Sequence, residues 1–263
     1  MKIRIFKLFC GLLAMVGAGS TAAFANSIYL LAGSGFAGSQ GGSYDPFQNN
    51  QGGEFAALGV NPDGGGAVSL VPALYSPEAL YTFGAEDDST GAFAGLTGFE
   101  TFCVEGGNND ITFYPGGIYN YSFSENILGG RPMQLSVGVA WLYSQFATGT
   151  LAGYDYSATD GGRITSAGEL QNAIWYLQGE TGDPGNVFSV AAVNEFGLAT
   201  ATESVTLYGN DFNVEVMNLT DGNGNAAQNQ LFLDPVPDGG PTVGLLGAAL
   251  VALVLIGRRR AVI

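Results

Sequence analysis

Six of the eight Lys and Arg residues lie at the two ends of the chain, and the apolar runs beside them limit which residues are left to fold. Lys2, Arg4 and Lys7 precede an apolar run from Leu8 to Gly17 and a small-residue stretch closing in Ala23-Phe24-Ala25. Charged, apolar and A-x-A regions in that order are the layout of a secretory signal peptide, so residues 1–25 are expected to be removed, and Cys10 with them. Lipid attachment at Cys10 is disfavoured, because bulky Phe9 stands where a small residue is wanted. At the other end, Thr242 to Gly257 is a run of 16 uncharged residues followed by Arg258, Arg259 and Arg260. As a helix it would be about 24 Å long, a little short of a hydrocarbon core of roughly 30 Å. A run of that length can also be a buried core helix. Its terminal position and triple arginine favour a transmembrane helix over residues 242–257, with the arginines as a cytoplasmic stop.

The stretch between these ends holds all 23 Asp and Glu against only Arg131 and Arg163, and it has no lysine. The chain has no histidine. A Ser-His-Asp triad, a Cys-His pair and His-ligated zinc are therefore excluded. An acidic chain has no basic face to displace counterions from phosphates, so nucleic acid is not an expected partner. No cofactor or metal is expected either. Gly33 to Gly38 formally matches G-x-G-x-x-G, but the Gly, Asn and Gln-rich segment after it cannot supply the required helix. Asp221 to Asn225 begins like a calcium loop, yet Ala226 and Phe232 occupy the glycine and bidentate-acid positions. Glu86-Asp87-Asp88 reads as a solvated acidic loop.

Short aromatic or β-branched runs separated by glycine-rich turns read as strands at 27–32, 54–60, 79–83, 99–105, 111–114, 118–123, 204–208, 213–219 and 230–233. The middle of the chain has a different period. Leu135, Val139, Leu142 and Phe146 form one stripe of a helix over 133–147. Ser166-x-x-Glu169 reads as a capping box opening a second helix with Leu170, Ala173, Ile174 and Leu177 inward. A third, weaker helix covers 190–195. The expected fold class is therefore α+β: a β-rich sandwich or barrel-like frame carrying a small helical insertion, with a signal peptide before it and a transmembrane helix after it.

Once the signal peptide is gone, Cys103 is the only cysteine, so no intrachain disulfide can form. Such a thiol can be a buried small hydrophobe, can pair between chains, or can enter another covalent bond. It lies in Phe102-Cys103-Val104-Glu105, and Glu105 falls on the same strand face two residues on, as a proton relay or simply a surface carboxylate. The second segment of interest is Leu170-Gln171-Asn172-Ala173-Ile174-Trp175. Together the two resemble the paired motifs of bacterial thioester domains, in which a Cys after an aromatic residue bonds to the Gln of a T-Q-x-A-[IV]-W helix. Leu170 stands where that family has Thr, while Gln171, Ala173, Ile174 and Trp175 match. The resemblance implies an internal Cys103–Gln171 thioester, formed with loss of ammonia and able to acylate a partner amine or hydroxyl. Trp175, one turn beyond Gln171, would cover the bond, with Phe102 and Glu105 in its surroundings. Gln145 is the rival partner for Cys103.

The end of the chain, residues 235–263, resembles a PEP-CTERM-type sorting tail, with Val236, Pro237, Asp238, Gly239 and Gly240 as a VPDGG variant of the motif. That resemblance implies processing by an exosortase-type membrane enzyme of Gram-negative bacteria, transit through the inner membrane, and delivery to the cell surface or extracellular matrix. The expected organisation is a signal peptide at 1–25, a thioester-domain-like ectodomain at 26–234 and the tail. The expected function is adhesion or matrix attachment in a biofilm setting, to a surface protein or polysaccharide. The alternative is a noncovalent structural matrix protein with Cys103 merely packed. Turnover as an enzyme is not expected, since a thioester is spent in one reaction.

Overall fold

Many apolar runs in this chain are short and bounded by glycine, and pairing side by side is the way such strands satisfy their backbone groups. The computed structural model describes residues 27–31, 48–49, 52–61, 66–84, 91–106, 117–129, 133–157 and 161–235. The signal peptide, the strand expected at 111–114, Gly33 to Gly38, the acidic run 86–88, Arg131, the sorting motif 236–240 and the helix expected at 242–257 lie outside them. Among the described residues no helix is long and apolar enough to cross a membrane.

The fold is α+β, with a mostly antiparallel sheet and few helices. In chain order come β1 (Ser27–Leu31), β2 (Gln48–Asn49), β3 (Gly52–Gly53), β4 (Phe55–Val60), β5 (Ala67–Val68), β6 (Leu80–Thr82), β7 (Thr97–Thr101), β8 (Gly117–Ser124), β9 (Asn126–Ile127) and β10 (Met133–Gln134). The helices follow: α1 (Val137–Ala147), α2 (Gly162–Leu177), α3 (Val187–Phe196), α4 (Leu198–Ala201) and α5 (Val205–Tyr208). Two strands, β11 (Val214–Thr220) and β12 (Gln230–Leu233), complete the order. The main sheet runs β12-β11-β8-β1-β4-β7-β6, with β5 on β4. Beyond β7 the chain turns to β12: Leu231 N–H donates to Phe102 O at 3.1 Å and Val104 N–H to Asn229 O at 3.1 Å, with Cys103 opposite Gln230. The segment after β7 thus hydrogen-bonds to β12, the strand that begins the sheet order.

Helix α1 begins as its apolar stripe requires, with Ser136 as N-cap; residues 133–134, expected to be helical, instead pair with β9. Helix α2 starts a full turn before the expected capping box. Ser166 is internal, its Oγ accepting from the Asp155 N–H at 3.1 Å. The extra turn carries Arg163 into the core, where Glu54 and Glu100 receive it. A local cap signal lost to a buried ion pair. The third helix is longer than expected, capped by the Asn186 carboxamide on the Phe188 and Ser189 N–H groups. The strand expected at 204–208 is the short helix α5. Ser204 caps it through the Thr206 N–H, and Gly209 ends it at φ 103°. Its β-branched residues were a weak strand signal that capping and burial of Val205 overrode.

The principal core lies between the sheet and α1–α3, and includes Leu30, Phe55, Phe99, Phe102, Tyr143, Phe146, Ile174, Phe188 and Phe232. A smaller cluster of Leu31, Ala56, Leu58 and Phe83 covers the other face of β1 and β4. Every residue of β4 is buried in consequence.

Candidate functional site

Strand residues alternate the side to which their backbone groups point, and this alternation builds the site. Phe102 O and Val104 N–H turn toward β12, so the N–H and C=O of Cys103 turn the other way. β4 has stopped pairing there, its last partner being Thr101 opposite Phe55. Gln171 on α2 fills the vacant place. The Cys103 N–H donates to Gln171 Oε1 at 3.1 Å, and Gln171 Nε2 donates to Cys103 O at 2.7 Å. A side-chain carboxamide, using one N–H donor and its acceptor oxygen, stands in for a missing strand residue.

The same edge is read again one step on. Trp175 Nε1 donates to Glu105 O at 3.0 Å. Four residues of helix rise about 6 Å, and two residues of strand rise about 6.6 Å. The Gln-x-x-x-Trp spacing of α2 therefore matches the Cys-x-Glu spacing of the strand, with one donor group delivered to each outward-facing residue. Gly52 lies close over both helix side chains. A Cβ at that position would sit 2.8 Å from Gln171 Cγ and 3.2 Å from Trp175 Cη2, and its φ of 121° is itself unfavourable to any L side chain.

Three consecutive carboxamides leading into β12 also meet this segment. Gln228 Nε2 donates to Glu105 O at 2.9 Å. The Glu105 carboxylate accepts from the Asn229 N–H at 2.8 Å and from Asn229 Nδ2 at 2.7 Å. Gln230 Nε2 donates to Cys103 Sγ at 3.2 Å. The last contact follows from register, because residues directly opposite in an antiparallel pair share a face.

Cys103, Gln171 and Gln230 are each at most 1% exposed. Burial pushes the Cys103 thiol well up, Gln230's donated hydrogen bond opposes this, and the nearby Glu105 charge adds to it. Glu105 is buried as well, not the surface carboxylate that was one reading of it. Burial raises its pKa to about 7 despite the Asn229 hydrogen bonds, with Glu180 contributing further. Phe102 faces the core on the opposite side, edge to face with Phe146 at 5.0 Å between centroids. The rival Gln145 is engaged elsewhere: its Oε1 accepts from Thr150 Oγ1 at 2.9 Å. Among the described residues no group of His, Cys, Asp and Glu could hold a metal ion.

A second buried polar centre lies at the start of α2. Arg163 makes a two-point ion pair with Glu54, Nε to Oε1 at 2.8 Å and Nη2 to Oε2 at 2.7 Å, and a second ion pair with Glu100 of β7. It also donates to the carbonyls of Glu78 and Tyr156, and the Tyr154 hydroxyl donates to Glu54. Burial alone would lower the guanidinium pKa, but the Glu54 hydrogen bond and the two carboxylate charges more than reverse that. Sequence reading missed this centre, although an acid beside or inside an apolar strand run (Glu54 before FAALGV, Glu100 within GFETF) was a visible oddity. It also missed Gly52, Asn229 and Gln230. No protein-family model, curated protein or solved structure matches the chain.

Proposed function

We propose that Cys103 and Gln171 form an internal thioester, and that the chain is an exported bacterial surface or extracellular-matrix protein which attaches covalently through it. The observation that carries this reading is the two-point hydrogen bonding of the Gln171 carboxamide to the backbone of the very residue that bears the thiol. That contact holds the amide at the backbone of the residue that bears its nucleophile, and a slow thiol–amide reaction depends on such proximity. It also gives the amide oxygen a backbone N–H donor, which would stabilise the negative charge developing there as sulfur adds. The sulfur–carbon bond forms at Gln171 Cδ while the carbon–nitrogen bond breaks. The thiol proton leaves with the amide nitrogen as ammonia, so atoms and charge balance. Burial then keeps water from the product.

A partner amine or hydroxyl on a surface protein or polysaccharide would later take the acyl group and return the thiol. One such event spends the bond, so the role is adhesive rather than enzymatic. Around this site we read the frame as barrel-like with a helical insertion, preceded by a signal peptide and followed by a PEP-CTERM-type tail for an exosortase-type enzyme.

A noncovalent matrix role has its own supporting observation: Cys103 is buried, its thiol pushed up, and its sulfur already holds a hydrogen bond. Intact mass of the protein separates the two. A deficit of one ammonia, absent in Cys103→Ala and in Gln171→Ala, is expected for the thioester. Full mass with one titratable thiol in the unfolded protein would leave the packed-cysteine role.

A further inference from the structure

Gln230 is fully buried, its Nε2 donating to Cys103 Sγ at 3.2 Å and to Gln228 O at 3.3 Å. Its Oε1 is buried with no hydrogen-bond partner among the described residues. Native interiors leave few such atoms, and one beside a sulfur nucleophile calls for a chemical account. We propose that Gln230 is the positioning residue of the thioester reaction, holding the Cys103 sulfur through Nε2 and offering Oε1 to the N–H of the amine that leaves or attacks. This rests on the thioester reading and deepens it.

Two fixed points flank the sulfur. Cys103's backbone is held on one side by Gln171, and its side chain on the other by Gln230 across the Cys103–Gln230 bridge. Gln230 is itself held by its neighbour. Asn229 bonds the Glu105 carboxylate, the Leu128 carbonyl and, through Oδ1, the Leu219 N–H at 2.8 Å, so β12 cannot slide along the strand without breaking all of these. A donor on sulfur favours the thiolate over the thiol, the form that attacks. An acceptor nearby suits the departing group, because Gln171 Nε2 becomes ammonia and must shed its bond to Cys103 O. The same acceptor would orient an incoming primary amine or hydroxyl, both of which carry a hydrogen to donate. This assigns the nucleophile class by its hydrogen: a group with an N–H or O–H is received, and a tertiary amine is not.

The test uses the full-length chain carrying Cys10→Ser, so that Cys103 is its one thiol, and follows ammonia loss by intact mass after refolding, across a series of pH values. Gln230→Leu removes both polar groups; Gln230→Met, of similar length and flexibility, is the second variant should Leu disturb folding. Either substitution is expected to slow ammonia loss by about tenfold or more and to move its pH midpoint up by about one unit. A parallel measurement needs no thioester: in Gln171→Ala the thiol stays free, and the pH midpoint of its alkylation is expected to rise when Gln230→Met is added. Wild type losing ammonia while the Gln230 variants do so at the same rate and midpoint overturns the role of Gln230 and leaves the thioester standing. A wild type that keeps its ammonia overturns the thioester, and an unmoved alkylation midpoint overturns the hold on sulfur separately.

Discussion

Helix α2 is fastened to the same strand at two places, and the two fastenings are chemically opposite. At its first turn Arg163 meets Glu100 of β7 and Glu54 beside β4, a buried knot of full charges. Two turns later Gln171 and Trp175 meet Cys103 and Glu105 through neutral amide and indole groups on backbone atoms. The charged end is costly to desolvate and tolerates no loss of a partner. The neutral end is cheap to bury and, among the described residues, brings no cation to the sulfur. A reacting group held by the ionic knot would have its ionisation dictated by Arg163. Held by carboxamides, it is positioned while its protonation is set mainly by burial, with the Gln230 hydrogen bond opposing that and Glu105 adding to it.

The sharpest break in this comparison is Arg163→Met. It strips the cation from two buried carboxylates, and about 3–5 kcal/mol of stability is expected to go, read from the denaturant midpoint. The neutral end answers to pH instead. Glu105 goes from an ordinary value of 4.5 to about 7 on folding, so the folded state holds its proton more tightly. Its contribution is complete below pH 4.5 and is lost as pH rises through about 7, amounting to roughly 3 kcal/mol over that window. Glu105→Gln is expected to remove this part of the slope, measured as the difference between the two proteins' unfolding free energies at pH 4.5 and pH 8.

Gly52→Ala should cost about 2 kcal/mol, through its positive φ and the contact forced on Gln171 Cγ, and should slow ammonia loss as well. A variant that loses stability but reacts at the wild-type rate would show that the glycine serves packing alone. The smallest effect is expected for Trp175→Phe. It removes one donor from Glu105 O, but Gln228 Nε2 still serves that carbonyl, so the loss should stay near 1 kcal/mol in the denaturant midpoint.

What could be read in advance follows from where each determinant lies along the chain. Periodicity within one segment gave α1 and most of α2, and short aromatic or β-branched runs between glycine-rich turns gave the strands around Ile28, Ala57, Phe99 and Tyr119, because both signals are local. Cys103 and Gln171 stood out through residue type and a two-part motif, and they meet. Gln230, Asn229 and Gly52 carry no such mark. Their roles exist only once β12 lies opposite residue 103 and β3 against α2, registers that no short window encodes. Ser166 and residues 204–208 show the converse error. Each has a legible local preference, one for a cap and one for a strand, that a buried ion pair and a short capped turn overrode.

β12 is the last described strand, and it is bonded on one flank to β11 and on the other to the backbone around Cys103. A pull applied to the chain beyond Pro235 therefore runs along β12 through Phe232, a member of the aromatic core, and on to Gln230, whose carboxamide touches the sulfur. If the proposed thioester forms, mechanical load and acyl chemistry would share one strand, and tension on the chain would reach the group that touches the reacting sulfur.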